Sequence, residues 1–510
     1  MLQPCSRRAA AFTVGSKGGQ ARQFYASARV RRATATSVPS AAPFNPPEAP
    51  EPSTSFQQAD SSSRDGLPVQ PFVPRPLSRS LQVKSLARSL DHPDSVVIQL
   101  ESPQQGASHV LTVPNLFLRD ASVHPSHVHP SSKQKLFRTT DVPADGQIKG
   151  YGVHEINGQD HLIMEWTSRL KGFKETDESG TLSVTPLGLL VGILREQDPL
   201  ALPLYTPWTR QLLNERLTPQ DFDGVLTKER TTLDMLDDLL RDGIAFVKHV
   251  PTDNKAGQYT DLRTLVERIS SIRNTWYGNL FDVKAEVGSK NIAYTNLDLG
   301  LHMDLVHFET PPRYQFLHSL QNTGVKGGAS YFVDSYAVAQ RIRETDREAF
   351  DVLASEPVLF EYRSDAHHTR FERPTIELDT DGQTILAVNY SPPFQGPLPL
   401  TQLVRDRATT TSIDAERLSK LRRGLQLFAD LCDDERYRYN VQLQPGDCVI
   451  FDNRRVLHAR TAFEFVEGSS EQGVEPGERG RWLKGAYCDG DEVASKWRIL
   501  ADKRRRGELD

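Results

Sequence analysis

The sequence predicts a mainly β protein, an all-β barrel or jelly roll flanked by helices and preceded by a small β-rich domain. Two observations carry this expectation. Short runs of β-branched, aromatic and aliphatic residues, bounded by Gly, Pro, Asn, Asp and Ser, recur from about residue 81 to residue 488. The residues best suited to chemistry are far apart in the chain, so only non-local strand pairing of the kind found in closed or jelly-roll sheets would gather them.

The elements follow in order. Residues 1–40 contain no acidic side chain, while Arg7, Arg8, Lys17, Arg22, Arg29, Arg31 and Arg32 are interleaved with Ser, Ala and Gln. An Arg-rich, acid-poor start of this kind is the pattern of a mitochondrial transit peptide, cut between Phe24 and Pro39, and it sets an expectation of the mitochondrial matrix. Residues 41–78 are rich in Pro, Ser and Ala, with too few large apolar groups to offset the entropy of ordering, and read as a disordered linker. Residues 79–195 read as a small β domain through the runs SVVIQL, HVLTVP and DHLIMEW. LPLYTPW then connects to a larger domain over 205–505. It opens with an amphipathic helix carrying Leu233, Leu236, Leu239 and Leu240 and stopped at Gly243, followed by the strand IAFVKHV. Further strands are RYQFLHSL, ASYFVDS, VLFEYRS, TILAVNY, DCVIFDN and RWLKGAYCD, with helices expected near 335–353 and 412–432.

Charge and cysteine use exclude several roles. A formal net charge of −5, with no basic stripe, argues against a nucleic-acid partner. Cys5, Cys432, Cys448 and Cys488 form no close-spaced pair, which fits a reducing interior without a disulfide framework. The longest apolar run, Leu187 to Leu194, is far too short to span a bilayer, so a soluble protein is expected.

The chemistry-bearing motif is LHMD, read together with VLHAR downstream. Side chains at i and i+2 of a strand share a face, so His302 and Asp304 would aim an imidazole and a carboxylate at one point, with His458 arriving from another strand. Two imidazoles and one carboxylate on one face of Fe(II) leave the opposite face open for a co-substrate and dioxygen. Taken singly, His302 and Asp304 read equally well as a hydrogen-bonded surface pair, and His458 as a core histidine. His307 and His318 lack a carboxylate at i+2, and His367 and His368 lie in a polar, exposed turn.

The order NIAYT…H-x-D, GG-x-S-x-x-VD, LQPGD…FDN-R-x-LH-x-R and R-x-L-x-GAY resembles the gamma-butyrobetaine and trimethyllysine dioxygenase branch of the taurine dioxygenase superfamily, from about Leu81 to Leu500. The resemblance implies a double-stranded β-helix holding Fe(II) through His302, Asp304 and His458, with 2-oxoglutarate oxidised to succinate and carbon dioxide while a substrate C–H bond is hydroxylated. It implies that Arg481 grips the distal carboxylate of 2-oxoglutarate with help from Ser330, although Arg479 and Arg460 stand close by in the sequence. It places Tyr277, Phe281, Tyr294 and Tyr487 around a trimethylammonium group, with Phe281 where relatives usually carry Trp, and Asn291 and Asn389 near the substrate's carboxylate. Aromatic faces suit a cation that has no hydrogen bond to donate.

Relatives often hold zinc through three cysteines and a histidine after an LRD signature. Here Ser122, His124, His127 and Leu170 occupy those positions, so zinc is not expected, and His124 and His127 read as exposed loop histidines. The sequence thus points to a hydroxylase of a small trimethylammonium acid. Gamma-butyrobetaine is the first candidate, with trimethyllysine or another small substrate next. Small-molecule substrate and dioxygen are the expected partners, and the resemblance implies a homodimer. A β-barrel binding protein that kept the fold without the reaction is the alternative from a different class.

Overall fold

The computed structural model describes residues 81–101, 108–156, 159–194, 202–203, 205–253, 260–284, 299–323, 325–398, 414–465 and 480–510. The expected transit peptide and linker, together with Asn291, Tyr294 and Arg479, lie outside the described residues.

Alternating burial builds the first part. Gln82–Arg88, Ser95–Glu101 and Ser108–Pro114 form one antiparallel sheet, and Ile148–Ile156, Gln159–Trp166 and Leu182–Pro186 form a second. Val96, Ile98 and Leu100 from the first and Leu162, Met164 and Trp166 from the second enter one core. The apolar run Leu187–Leu194 is a helix whose Leu187 and Leu190 complete that core.

Two larger sheets face each other beyond residue 205. The six-stranded sheet runs Gln220–Asp221, Ile244–Lys248, Cys448–Asp452, Tyr314–Thr323, Gly480–Cys488 and Leu280–Lys284, and the four-stranded sheet Leu299–His302, Val456–Arg460, Ser330–Asp334 and Tyr439–Val441. Neighbours pair antiparallel except the short first pair. The period of two divides each strand between two environments. Ala245, Val247, Ile450, Phe316 and Ala486 pack outward with Leu233, Leu236 and Leu239. Ile244, Phe246, Val449, Phe451, Leu317 and Leu483 point inward, where they meet Phe332 of the opposite sheet. This is the double-stranded β-helix, or jelly roll, with helices outside. At about 1.5–3 kcal/mol for each fully buried large side chain, the inner cluster is a major stabilising term.

The expected helix ahead of Gly243 is Glu229–Asp242, and Gly243 closes it in the left-handed conformation at φ 74°. The single helix expected over 335–353 is two, Ser335–Thr345 and Arg347–Ser355, because Asp346 leaves helical geometry and caps the second by accepting from the Ala349 amide at 3.1 Å. The next helix is Ala415–Asp433, capped by Asp414. A last helix, Gly490–Arg506, packs Val493 and Leu500 against the outer core. No described helix is long and apolar enough to cross a membrane.

One hairpin joins the two sheets. Cys448–Asp452 belongs to the six-stranded sheet and Val456–Arg460 to the four-stranded one. In the turn, Arg455 is buried in a two-point ion pair with Asp334, with Nη2 to Oδ2 at 2.7 Å and Nε to Oδ1 at 3.0 Å. The same guanidinium donates to the carbonyls of Arg241 and Thr206, so this buried charge is fully engaged.

Candidate metal centre and adjoining cavity

His302 ends its strand directly opposite His458, and the two imidazoles stand 4.2 Å apart between centroids. A carbonyl can only accept, so Nδ1 of His302, 2.8 Å from the Gly300 carbonyl oxygen, carries the proton and Nε2 presents a lone pair. The strand stops at His302, and Asp304 lies in the turn that follows, where Leu305 is left-handed at φ 56°. Strand spacing is therefore not what aims this carboxylate. The buried side chain of Asn453, in the hairpin turn, accepts from the Asp304 amide at 2.9 Å and donates to the Asp304 carbonyl at 2.9 Å. Asn453 also donates to the Pro312 carbonyl at 3.2 Å, clamping the turn from a residue 149 positions away.

The three groups converge. His302 Nε2 is 3.4 Å from Asp304 Oδ1, His458 Nε2 is 3.9 Å from Asp304 Oδ2, and one ligand atom from each residue lies within 4.8 Å of the others. Adjacent ligands bound at about 2 Å to one centre lie about 3 Å apart, so a small contraction closes the set around one ion. Burial pushes the His458 imidazole down to about 3, helped by His302, so it is neutral at physiological pH. Burial alone would raise the Asp304 carboxyl, but hydrogen bonding to its charged form, with the Tyr487 hydroxyl as a donor, holds it well below the usual carboxylate range. Neutral imidazoles and an ionised carboxylate are the protonation states that a metal requires.

A cavity opens from this centre. Arg481 and Ser330 line one side, with Arg481 Nη2 donating to Ser330 Oγ at 3.3 Å. Burial first, and Arg460 second, push the Arg481 guanidinium down to about 9, so it is still a cation at neutral pH. Among the described residues no carboxylate forms an ion pair with Arg481. A buried cation beside a second cation calls for an anionic ligand. The paired glycines of the GGAS motif have a structural cause. Gly327 and Gly328 are both left-handed, at φ 92° and 72°, and a Cβ on Gly327 would sit 2.4 Å from the Ala462 carbonyl oxygen.

Tyr277, Phe281 and Tyr487 line the cavity. Phe281 and Tyr487 stack at 4.8 Å, and Tyr277 stands 6.2 Å from Phe281. The Tyr487 hydroxyl donates to Asp304 Oδ2 at 2.7 Å, so this ring joins the aromatic wall to the metal centre. Asn389 is elsewhere. It is buried outside the cavity lining, donating to the Pro374 carbonyl at 2.8 Å and to Glu377 at 2.9 Å, so its amide nitrogen is committed to the end of the strand His368–Pro374 and to the strand Ile376–Leu378.

Several cavity residues escaped the sequence reading. Gln315 donates to Asp304 Oδ2 at 2.8 Å, and Phe394 also lines the space, as does Arg460, which the sequence offered only as a neighbour of Arg481. A polar Gln amid the apolar residues of YQFLHSL was the available signal. His307 and His318 are both buried and hydrogen-bonded outside the triad, to Thr369 at 2.7 Å and to the Val250 carbonyl at 3.3 Å.

The positions compared with a zinc site need one correction. His127 is not an exposed loop histidine. It is fully buried, with Nδ1 2.9 Å from Ser122 Oγ and Nε2 3.0 Å from the Ser179 carbonyl oxygen. Phe137 and Phe173 pack edge-on against its ring, each at 5.3 Å, and Leu170 is buried in the cluster they form.

Comparison with known proteins agrees with this geometry. A model of the family described as "Taurine catabolism dioxygenase TauD, TfdA family" matches residues 209–487. The chain is 38% identical to dioxygenase str8 of Strobilurus tenacellus over 385 residues, covering 75% of this chain and 84% of that protein. It is 30% identical to the gamma-butyrobetaine dioxygenase of Pseudomonas sp. over 389 residues, covering 76% of this chain and 90% of that protein. It is 28% identical to a rat trimethyllysine dioxygenase named as mitochondrial, over 301 residues, covering 58% of this chain and 63% of that protein. The family match spans both facing sheets and the three converging side chains between them, and on that footing the chain belongs to the TauD/TfdA family of dioxygenases.

Proposed function

We propose that this protein is an Fe(II)- and 2-oxoglutarate-dependent hydroxylase of a small trimethylammonium acid, gamma-butyrobetaine before trimethyllysine. The observation that carries the reading is one cavity with three differently equipped walls, namely the His302–Asp304–His458 centre, the Arg481–Ser330 pair, and the aromatic group of Tyr277, Phe281 and Tyr487. Iron with 2-oxoglutarate, when bound, supplies dioxygen activation and C–H hydroxylation. His302, Asp304 and His458 hold the metal. Arg481 offers two parallel N–H donors to the distal carboxylate of 2-oxoglutarate, and Ser330 fixes the guanidinium's tilt. Apolar lining from Leu299, Leu305, Leu317, Phe332 and Leu483 excludes water around the reacting centre. The aromatic faces receive a methylated cation through their quadrupoles, which positions the substrate chain along the cavity.

A second reading keeps the chemistry and changes the substrate. It is favoured by Phe281, which offers a weaker cation surface than Trp, and by the higher identity to dioxygenase str8 than to the gamma-butyrobetaine enzyme. The two readings are separated by anaerobically loading Fe(II) and measuring succinate formed per hydroxylated product with gamma-butyrobetaine, trimethyllysine and taurine. Coupled turnover of gamma-butyrobetaine supports the first reading. Uncoupled decay with all three discards it. Iron-dependent succinate formation that survives His302→Ala would overturn the assignment of the metal centre.

A further inference from the structure

Asp304 Oδ2 accepts two hydrogen bonds, from the Gln315 amide nitrogen at 2.8 Å and from the Tyr487 hydroxyl at 2.7 Å. The Gln315 orientation is set by chemistry, since a carboxylate oxygen needs a donor opposite it. Gln315 is 1% exposed and Tyr487 2% exposed, so water does not compete for either bond. Both donors stand on neighbouring strands of the six-stranded sheet, where Gln315 and Tyr487 are register partners. They therefore approach the carboxylate as one rigid pair.

A carboxylate oxygen has two in-plane lone pairs, and two donors occupy those of Oδ2. That oxygen stands 3.9 Å from His458 Nε2, but Oδ1, 3.4 Å from His302 Nε2, is the one with a lone pair left to give. From this the geometry points to Gln315 and Tyr487 as positioning residues that restrict Asp304 to binding metal through Oδ1 alone, and so keep a coordination position open for 2-oxoglutarate. A carboxylate released from these donors is free to turn and bind through both oxygens, which takes up one of the positions that a chelating keto acid needs. The inference rests on the metal-centre reading above and adds two residues with a defined task.

The test separates metal binding from keto-acid binding. Mn(II) is titrated into wild-type protein and into Tyr487→Phe, Gln315→Leu and the double variant, followed by electron paramagnetic resonance. Each Mn(II)-loaded protein is then titrated with 2-oxoglutarate by calorimetry. Tyr487→Phe deletes only a hydroxyl and so guards against a folding defect in the Gln315 variant. The expected result is Mn(II) affinity within about threefold of wild type and 2-oxoglutarate affinity lowered about tenfold in the double variant, because a second bound carboxylate oxygen competes with the keto acid for a metal position. Unchanged 2-oxoglutarate affinity in the double variant overturns the inference. So does a loss of Mn(II) affinity with 2-oxoglutarate binding intact in the loaded protein, because the two donors would then merely hold the ligand in place. Wild-type protein that takes up no Mn(II) defeats the metal-centre reading itself, and this inference with it.

Discussion

Gly485→Ala is the sharpest perturbation of the cavity that leaves every polar group in place. Gly485 is paired in register with Phe281, whose ring lies over it. A Cβ built on Gly485 would stand 2.2 Å from Phe281 Cζ, 2.4 Å from Cε2 and 2.8 Å from Cε1. Carbon atoms rest about 3.5–4 Å apart, so the ring must shift by more than about 1 Å. It cannot slide freely, because Tyr487, two positions along the same strand face, is already stacked on it at 4.8 Å. The displaced ring moves into the cavity or forces Tyr487 off Asp304. Overpacking of this kind costs about 1–3 kcal/mol. If the cost falls on substrate binding, KM for the substrate that the cavity accepts rises about tenfold for each 1.4 kcal/mol, while kcat changes less. The assay is initial-rate hydroxylation at saturating 2-oxoglutarate, with Gly485→Ala/Phe281→Ala as the control. Truncating the ring removes the clash, so the double variant should show no additional penalty beyond Phe281→Ala alone. A Gly485→Ala enzyme with wild-type KM and kcat, or a double variant whose losses simply add, would refute the packing argument.

Other expectations are more direct. Arg481→Ala should raise KM for 2-oxoglutarate by about two orders of magnitude, in line with the roughly 2–5 kcal/mol cost of breaking a buried charged hydrogen-bonded pair, and Arg481→Lys should recover only part because it cannot bind bidentately. His127 is buried and its imidazole is pushed down to about 4, chiefly by burial. The unfolded chain gains a proton near pH 6.5 that the folded one refuses until about pH 4, so its stabilising contribution is complete above pH 6.5 and is lost progressively as pH falls through that window. Thermal melts at pH 7.5 and 5 should show a smaller acid shift in His127→Gln than in wild type, and an equal shift would dismiss the assignment. Residues 1–40 fused to a fluorescent protein should direct it into mitochondria and be trimmed there, and a diffuse cytosolic signal counts against the presequence.

Residue pattern made the barrel strands legible as short, largely apolar runs between turn residues, because strands buried on both faces, as in Tyr314–Thr323 and Cys448–Asp452, carry apolar residues on both sides and lose the alternation. The helix break at Asp346 was less visible, since the apolar spacing runs across it and only a capping side chain marks the boundary. His302, Asp304 and His458 were legible as residue types. The means of aiming Asp304 was not, because it depends on a clamp from Asn453 that no local pattern encodes. Burial of His127 was likewise hidden, for its partners Ser122, Phe137, Phe173 and the Ser179 carbonyl come from four separate stretches. The loop amide of Asn389 misled for the same reason, a tertiary partner outbidding the expected ligand.

The hairpin that stitches the two sheets has a consequence for biosynthesis. His458 and the Asn453 clasp are both supplied by residues 448–460, whereas His302 and Asp304 emerge from the ribosome far earlier. Closing so long a loop is entropically slow and awaits the pairing of distant strands. Nascent chains therefore carry two of the three converging side chains for much of their synthesis, and the full set comes together only once the strands around residues 448–460 have docked.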